Sequence, residues 1–202
     1  MLTLYHSPQS RSIRPRWLLE ELGVPCEVKL VSLAAGDQKK PEYLKLNPNG
    51  TVPTLVDGDL ALWESAAICQ YLADKYPEKR LAPPLGTPER GKYYQWIHYA
   101  MSGLEPPVVT VFRHTMLLPE AERVPGLVDP AKAELGRVIT VVDDALAGRE
   151  WILGSQFSAA DVMVGSTLVW CQMLGLIGDQ YANVPGYLAR CAARPALQRA
   201  SA

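Results

Sequence analysis

Three stretches of the chain combine residue types that could bind or activate a small polar molecule. The first, SPQSRS at positions 7–12, places Ser7, Ser10, Arg11 and Ser12 between an apolar segment and a helical one. Hydroxyl groups and unpaired backbone N–H groups at the start of a helix can hold an anion. The turn is therefore either an anion site or a plain helix cap, and the residues allow both interpretations.

The second stretch, LNPNGTVPTLVDG at positions 46–58, contains Val52-Pro53 just before a strand-like segment. Proline cannot donate to a sheet, and X-Pro bonds adopt the cis form more readily than other peptide bonds. A cis bond here would turn the backbone N–H and C=O of Val52 outward, where they could pair with an extended peptide-like ligand. The alternative is an ordinary loop that ends in proline.

The third stretch, LWESAAICQYLADKY at positions 62–76, is a helical pattern opened by Glu64 and Ser65. Ser65 has the residue type of an N-cap, and a helix start with a hydroxyl and unpaired N–H groups favours a carboxylate. Glu64 beside it could receive an ammonium group. Together they would suit the amino-acid end of a zwitterionic ligand, although Ser65 could equally serve only to cap its own helix.

The elements that would position these stretches form a small α/β module. Two segments of alternating apolar residues enclose one with helical spacing, which predicts a β-α-β unit with parallel strands and a right-handed crossover. A hairpin that turns at Asp57-Gly58 and another amphipathic helix follow. The predicted segments are strands at 2–6 and 26–33, a helix at 13–22, a short helix around 42–46, the hairpin at 54–63 and a helix at 65–76.

The second half of the chain has no strand candidate of comparable strength. Helical spacing marks four segments, at 88–118, 130–147, 159–175 and 184–194. The stretch before them, YPEKRLAPPLGTPERG, is dense in proline and glycine, as is typical of a linker. We therefore predict an α/β domain at 1–77, a linker at 78–87 and an all-helical domain at 88–202.

Composition and residue spacing argue against several classes of protein: those that bind nucleic acid, membranes or metal ions. A formal net charge of −1 gives no general attraction to nucleic acid or to an anionic membrane, and no apolar run approaches the ~20 residues that span a bilayer. The N-terminus lacks a signal-peptide pattern, which favours a cytoplasmic location. The cysteines and histidines show no metal-ligand spacing, so we expect reduced, buried cysteines, packing or surface histidines and no bound metal. These residues are Cys26, Cys69, Cys171, Cys191, His6, His98 and His114.

The three stretches, in this order and followed by an all-helical half, resemble the cytosolic glutathione transferases over the whole chain, in the bacterial type with a serine in the active-site loop. The most specific parts are SRSIRPRWLLEELG at 10–23 and NPNGTVPTLVDGDLALWESAAICQYL at 47–72. The segment FSAADVMVGSTL at 157–168 resembles the family's folding motif, in which Ser158 and Asp161 would form a structural capping box. The resemblance implies a thioredoxin-like domain followed by a helical bundle domain.

The resemblance further implies that glutathione is the co-substrate and that its thiolate attacks a small hydrophobic electrophile. Pro53 would be the family's cis-proline, and the backbone of Val52, with Thr51 beside it, would pair with the cysteinyl unit. Glu64 and Ser65 would hold the γ-glutamyl group.

The same resemblance implies a partner for the glycyl carboxylate on the loop after the second strand. Gln38, Lys39 and Lys40 are the candidates there, and we prefer Lys39. A charge pair on a loop is more often merely solvated.

The residue that activates the thiol differs between classes of this family: a tyrosine near the first strand, or a serine or cysteine in the following loop. Cysteine is excluded because the first one in the chain is Cys26. We prefer Ser10, which lies shortly before the helix as in the serine-type classes. Arg11 is next, through its backbone N–H or its guanidinium, and Tyr5 is either an activator or a packing residue of the strand.

Two other serines are less suited to this role. Ser7 precedes Pro8 and lies too early, and Ser12 is expected to be the helix N-cap. Pro15 supports this assignment, because a helix that starts at Ser12 places the missing N–H of proline in the first turn, where it costs little. Ser10 is then expected to remain free in the loop.

The second half is expected to supply an apolar wall for the electrophile, with Tyr99, Met101 and Phe112 as candidates. At this spacing such residues are more often part of a core or a dimer interface. The resemblance also implies a homodimer. Two alternatives remain open: a glutathione-dependent peroxidase or isomerase on the same fold, and a non-catalytic binding or scaffold protein.

Overall fold

The structure is a computed structural model and describes residues 1–201. The chain divides into two compact units. The first comprises residues 1–82 and the described residues from Ala192 onward, and the second comprises residues 83–191. The division falls within the predicted linker, whereas the described segment from Ala192 onward groups with the first unit and not with the helical domain, which is predicted to extend to residue 202.

The first unit is built on a four-stranded sheet with strand order β2-β1-β3-β4. Strand β1 pairs in parallel with β2 and antiparallel with β3, and β3 and β4 form the hairpin. This topology confirms the predicted thioredoxin-like module. Its elements are β1 (Leu2–His6), α1 (Ile13–Leu22), β2 (Cys26–Leu30), α2 (Pro41–Leu44), β3 (Thr54–Asp57), β4 (Leu60–Trp63) and α3 (Ser65–Lys75).

Helix α1 buries one side against the module and ends where the sequence predicts. Trp17, Leu18 and Leu22 are buried, and Gly23 follows with a φ of 63°, a left-handed conformation that favours glycine. Strand β2 ends three residues earlier than predicted. The chain turns there because the N–H of Ser32 bonds to the carboxylate of Asp37, at 2.9 Å, instead of continuing the ladder.

The second unit is helical, as predicted, but its first helical run contains two π-helical turns, one within the run and one at its end. Wide turns of this kind occur mostly as single insertions within α-helices and are frequent at functional sites. They lie at Ala100–Leu104 and Arg113–Leu117. The helices are α4 (Pro88–Tyr99), α5 (Glu105–Phe112), α6 (Val128–Ala145), α7 (Ala159–Met173) and α8 (Val184–Ala192).

Helix α9 (Pro195–Ser201), which the sequence analysis did not predict, packs along α1 in the first unit. Arg194, just before α9, forms a two-pronged ion pair with Glu21, at 2.5 and 2.7 Å, and Arg199 reaches Glu20 at 2.8 Å. Arginine and carboxylate match in this two-bond geometry, which adds direction to the charge attraction. These ion pairs tie the chain after Ala192 to the outer side of α1.

Candidate functional site

The turn between β1 and α1 is organised around a set of hydroxyl hydrogen bonds. The fully buried Ser12 hydroxyl accepts from the backbone N–H of Ser7 at 3.0 Å. It also lies 2.7 Å from Nδ1 of His6 and 2.7 Å from the Ser10 hydroxyl. The structure thus joins the three serines and His6 in one network.

Ser12 does not play the capping role that the sequence suggested. It stands at the N-cap position of α1, but its side chain caps none of the N–H groups of this helix in the described structure. A hydroxyl has one proton and two lone pairs, and the Ser7, Ser10 and His6 groups compete for all of them. Ser12 therefore holds the turn together and is poorly placed to contact a ligand.

Ser10 is half-buried and is not free in the loop, contrary to expectation. Its hydroxyl donates to the carbonyl oxygen of Ser7 at 2.7 Å and accepts from the N–H of Ser12 at 3.2 Å. The N–H contact fixes the oxygen, whereas the proton can rotate from the carbonyl toward a stronger acceptor. An anion next to Ser10 would be such an acceptor.

Ser7 and His6 belong to the site although the sequence analysis set both aside. Ser7 is buried, and among the described residues its hydrogen bonds use only its backbone groups. Burial lowers the pKa of His6 from its ordinary 6.5, so the imidazole is neutral at pH 7. The Ser7 hydroxyl is thus a second potential donor, and His6 is a neutral partner behind Ser12.

Tyr5 and Arg11 differ from these residues in their surroundings. Tyr5 packs edge-on against Tyr43, with ring centroids 5.5 Å apart. Because side chains alternate along a strand, Tyr5 points to the opposite face of the sheet from His6. Arg11 is exposed in the turn before α1, and neither side chain takes part in the hydroxyl bonds described above.

The bond between Val52 and Pro53 is cis, which confirms the prediction. The Tyr43 hydroxyl and the Asn47 side-chain amide both donate to the carbonyl oxygen of Thr51, at 2.6 and 2.8 Å, and fix the chain before this bond. The backbone N–H and C=O of Val52 take part in no backbone hydrogen bond among residues 1–201. Both groups are therefore available to an extended ligand.

Lys39 extends over the loop that leads to the cis bond. Its Nζ donates to the carbonyl oxygen of Asn49 at 3.3 Å, and a Cβ placed on Gly50 would come within 2.8 Å of the same nitrogen. Lys40 instead pairs with Asp37 at 2.7 Å. Lys39 is thus the lysine of this loop whose charge reaches the segment before Val52.

Helix α3 begins at Ser65, as predicted, but its N-cap residue is Glu64 and not Ser65. Glu64 has φ 74° and ψ 113°, a backbone conformation that residues with a side chain rarely adopt. In the described structure its carboxylate caps no N–H group of the helix. The first N–H groups of a helix lack intrahelical partners, so this start presents donors next to an exposed carboxylate.

Arg14 lies against the start of α3 and was missed by the sequence analysis. It is 2% exposed, and its guanidinium donates to the Ser65 hydroxyl at 3.2 Å. A signal was present in the sequence: Arg14 precedes Leu18 and Leu22 at four-residue spacing, on the buried side of α1. A charged residue in an apolar stripe needs a specific partner.

The candidates for the second substrate lie in the second unit and make contacts within it. The Tyr99 hydroxyl donates to the carbonyl oxygen of Val138 at 3.2 Å, and the Phe112 ring packs edge-on against Trp170 at 5.4 Å. Met101 is half-buried in the first π-helical turn. Their role as a substrate wall stays a prediction.

The thiols of the chain take no part in the candidate site. None of the described cysteines forms a disulfide, and Cys69, Cys171 and Cys191 are buried. Burial raises the pKa of Cys69 and of Cys171 to about 12, which keeps both as thiols. Within residues 1–201, no group of three or more His, Cys, Asp or Glu side chains could hold a metal ion. No described helix is both long and apolar enough to cross a bilayer.

Comparison with known proteins gives consistent matches over both units. The family model "Glutathione S-transferase, N-terminal domain" matches residues 1–74, and "Glutathione S-transferase, C-terminal domain" matches residues 122–199. Glutathione S-transferase 1 of Schizosaccharomyces pombe is 34% identical over 79% of this chain and 69% of its own length. Glutathione S-transferase GstB of Escherichia coli K12 is 30% identical over 98% of this chain and 97% of its own.

Solved structures agree with these matches. A crystal structure of a glutathione transferase from Burkholderia graminis, with two glutathione molecules bound per subunit, is 34% identical to this chain. It superposes with a TM-score of 0.87 and covers 99% of this chain and 87% of its own.

Proposed function

The chain belongs to the glutathione S-transferase family, and from this premise we propose that it activates the glutathione thiol as a thiolate for attack on a small hydrophobic electrophile. The observation that carries the proposal is the hydroxyl network at positions 7–12. Tyr5 pairs with Thr54, so the end of β1 and the start of β3 lie side by side in the sheet. The serine turn and the cis Val52-Pro53 bond therefore occur at the same end of the sheet.

The chemical task of this site is to favour a thiolate near neutral pH. A free thiol has a pKa of about 8.5, and lowering it by one to two units requires ~1.4–2.7 kcal/mol of preference for the anion. A hydroxyl donor and the start of a helix can together supply this amount. Bound in place, the thiolate also gains from its proximity to the electrophile.

Ser10 is the proposed donor to the sulfur. Its oxygen is held by the N–H of Ser12, and its proton is shared with a carbonyl oxygen, which an incoming thiolate can replace as acceptor. The Ser12 hydroxyl is in hydrogen-bond contact with the Ser10 hydroxyl and with Nδ1 of His6, and so helps to hold Ser10 in position. Tyr5 ranks below it because its ring packs against Tyr43 on the other face of the sheet. Arg11 ranks below it because its side chain is exposed, and Ser7 is the main rival.

The remaining groups hold the glutathione backbone in this proposal. Val52 pairs with the cysteinyl unit through its N–H and C=O groups, with Thr51 and Pro53 beside it. Glu64 and Ser65 receive the ammonium and carboxylate of the γ-glutamyl unit. Lys39 faces the glycyl carboxylate.

The proposal also covers the site of the electrophile, the oligomeric state and the cellular location. We assign Tyr99, Met101 and Phe112 to the wall that receives the electrophile, since each is half-buried and lies in or directly before a π-helical turn. The protein is proposed to act as a homodimer, as is typical of its family, and in the cytoplasm, where its unpaired cysteines would stay reduced.

An ultraviolet difference titration of bound glutathione against pH tests this proposal, with Ser10→Ala and Ser7→Ala as a matched pair. We expect thiolate absorbance below the pKa of the free thiol in the wild type and in Ser7→Ala. In Ser10→Ala the apparent pKa of the bound thiol should rise by about one to two units, and the conjugation rate at pH 7 should fall about tenfold to a hundredfold.

Other results would change either the residue identified as the donor to the sulfur or the proposed activity. Loss of the thiolate in Ser7→Ala alone would make Ser7 the donor. Glutathione binding without any thiolate in the wild type would remove the conjugating mechanism and favour a binding or scaffold protein. Thiolate formation without conjugation of any hydrophobic electrophile would favour the peroxidase or isomerase alternative.

A further inference from the structure

The hydrogen bond between Arg14 and Ser65 restricts what Ser65 can do. A guanidinium has only N–H donors and no acceptor. In the contact between these residues, at 3.2 Å, the Ser65 oxygen must therefore accept. Arg14 takes one lone pair of this hydroxyl and leaves its proton for another partner.

The proton of the Ser65 hydroxyl has no acceptor within the described chain. Ser65 is 4% exposed, and the bond from Arg14 is the hydrogen bond that its side chain makes among residues 1–201. A buried hydroxyl that keeps an unused O–H carries a free-energy penalty until an acceptor arrives. The missing group is therefore a hydrogen-bond acceptor that comes from outside the chain.

The surrounding charges specify what kind of acceptor this is. The positive end of α3 lies at Ser65, and helix ends of this kind favour anions. Arg14 adds a buried positive charge at the same end, where a cation would ordinarily be unfavourable. Its hydrogen bond to Ser65, the first residue of α3, places the guanidinium beside the first turn of the helix.

We infer that Arg14 is a positioning residue that makes Ser65 an obligate donor and so commits the start of α3 to a carboxylate. The inference rests on the proposed function, in which this carboxylate is the α-carboxylate of the γ-glutamyl unit of glutathione. Arg14 does not touch the ligand in this arrangement. It acts by fixing the direction of the Ser65 proton and by adding positive charge behind it.

A residue at position 14 that could accept a hydrogen bond would change this selectivity. With glutamine there, the side-chain oxygen could accept from Ser65, so the hydroxyl proton could turn inward and its oxygen outward. The start of α3 would then discriminate less between a ligand with a carboxylate and one without. Arg14→Gln therefore tests the direction of the Ser65 hydroxyl proton as well as the effect of the positive charge.

The experiment compares the dissociation constants of two ligands by calorimetry: glutathione, and the same tripeptide without the α-carboxylate of its γ-glutamyl unit. The ratio of the two constants measures recognition of the carboxylate. We expect Arg14→Gln to reduce this ratio about tenfold, while the affinity for the decarboxylated tripeptide stays within about twofold of the wild type. General structural damage would weaken both ligands alike, so the ratio reports positioning.

Ser65→Ala and the double variant show whether Arg14 acts through Ser65. Ser65→Ala should reduce the ratio by a similar factor, and adding Arg14→Gln to it should reduce it by less than about twofold more. Arg16→Gln, two residues along the same helix, is the matched control and should leave the ratio unchanged. If Arg14→Gln does not fold, Arg14→Lys replaces it, because lysine also only donates and should keep the ratio within about threefold of the wild type.

The outcomes separate this inference from the proposed function. A wild type that binds neither tripeptide contradicts the proposed function. A wild type that binds glutathione and prefers it, together with an Arg14→Gln ratio equal to that of the wild type, overturns the role of Arg14. Two other results overturn it as well: a double variant whose ratio is a further tenfold lower than that of Ser65→Ala, and an Arg14→Lys variant whose ratio falls as far as that of Arg14→Gln. In either case Arg14 would act independently of the direction of the Ser65 proton.

Discussion

Helices α3 and α7 both begin where a serine stands close to an acidic residue, yet the two starts are built in opposite ways. At α7, Asp161 accepts from the N–H groups of Ile152 and Ser158, at 2.8 and 2.9 Å, and from the Ser158 and Tyr187 hydroxyls. At α3, Glu64 is exposed and caps no helix N–H in the described chain, and Ser65 receives a bond from Arg14.

The difference lies in where the acid stands relative to the serine. In α7 the acid comes three residues after the serine and can turn back over the helix start, which produces the predicted capping box. In α3 the acid precedes the serine, and its carboxylate caps no helix N–H in the described chain. A serine and an acidic residue thus form a closed structural cap in one unit and, in the other, an open helix start that we propose as the γ-glutamyl site.

Removal of Asp161 should give the largest loss of stability. Asp161→Ala would leave several buried donors without an acceptor, and we expect the free energy of unfolding to fall by ~3–5 kcal/mol, measured by urea denaturation at pH 7. Asp129→Ala is the matched control, because Asp129 is an exposed acid in the first turn of α6. Its loss should stay below ~1 kcal/mol, and equal losses in the two variants would contradict the closed cap.

The free energy of unfolding should also depend on pH through Asp161, in a direction that follows from its pKa. Burial raises the pKa of Asp161 from its ordinary 3.8 to about 6, against the opposing effect of its hydrogen-bond donors. The unfolded chain therefore releases this proton at lower pH than the folded chain. The contribution of the group is complete below about pH 4 and is lost as the pH rises through about 6.

A matched pair isolates this effect. The unfolding free energy of the wild type minus that of Asp161→Asn should decrease by up to ~3 kcal/mol between pH 4 and 7, because asparagine does not titrate. The same difference taken with Asp129→Asn should not show this decrease. A difference that stays flat or increases over this range would show that Asp161 is ionised in the fold at all these pH values.

The order of elements, the cis bond and the capping box followed from local patterns: alternation, helical spacing, Val52-Pro53 and the Ser158–Asp161 interval. What the sequence analysis missed depends on partners far along the chain. Arg14 makes its bond to a residue on another helix, and α9 is short and finds its ion-pair partners on α1. The serines of the first turn were grouped correctly, but their individual bonds depend on how Ser12 and His6 meet after folding.

The smallest effect is expected at Glu64, where stability and binding should move in opposite directions. Glycine accepts a φ of 74° without strain, so Glu64→Gly should raise the unfolding free energy by ~1 kcal/mol. The same change should weaken glutathione binding about tenfold, because it removes the carboxylate that we propose to face the ammonium group. Urea denaturation and calorimetry on one sample measure both quantities.

Glu42→Gly provides the contrast for this last change. Glu42 lies in the first turn of α2 and is not among the residues with a positive φ, so glycine there should lower the unfolding free energy by ~1 kcal/mol without affecting glutathione binding. If Glu64→Gly also destabilised the fold, the strain at the start of α3 would not be the reason for its open form.

The ion pairs of Arg194 with Glu21 and of Arg199 with Glu20 have a consequence for how the protein is made. The first unit is discontinuous: its last helix is synthesised only after the whole of residues 83–191. Until then, one flank of α1 stays uncovered and its two glutamates face water. A gene fragment that stops at residue 82 would produce the sheet without this final brace, whereas joining residues 192–202 to it through a short linker should restore the brace.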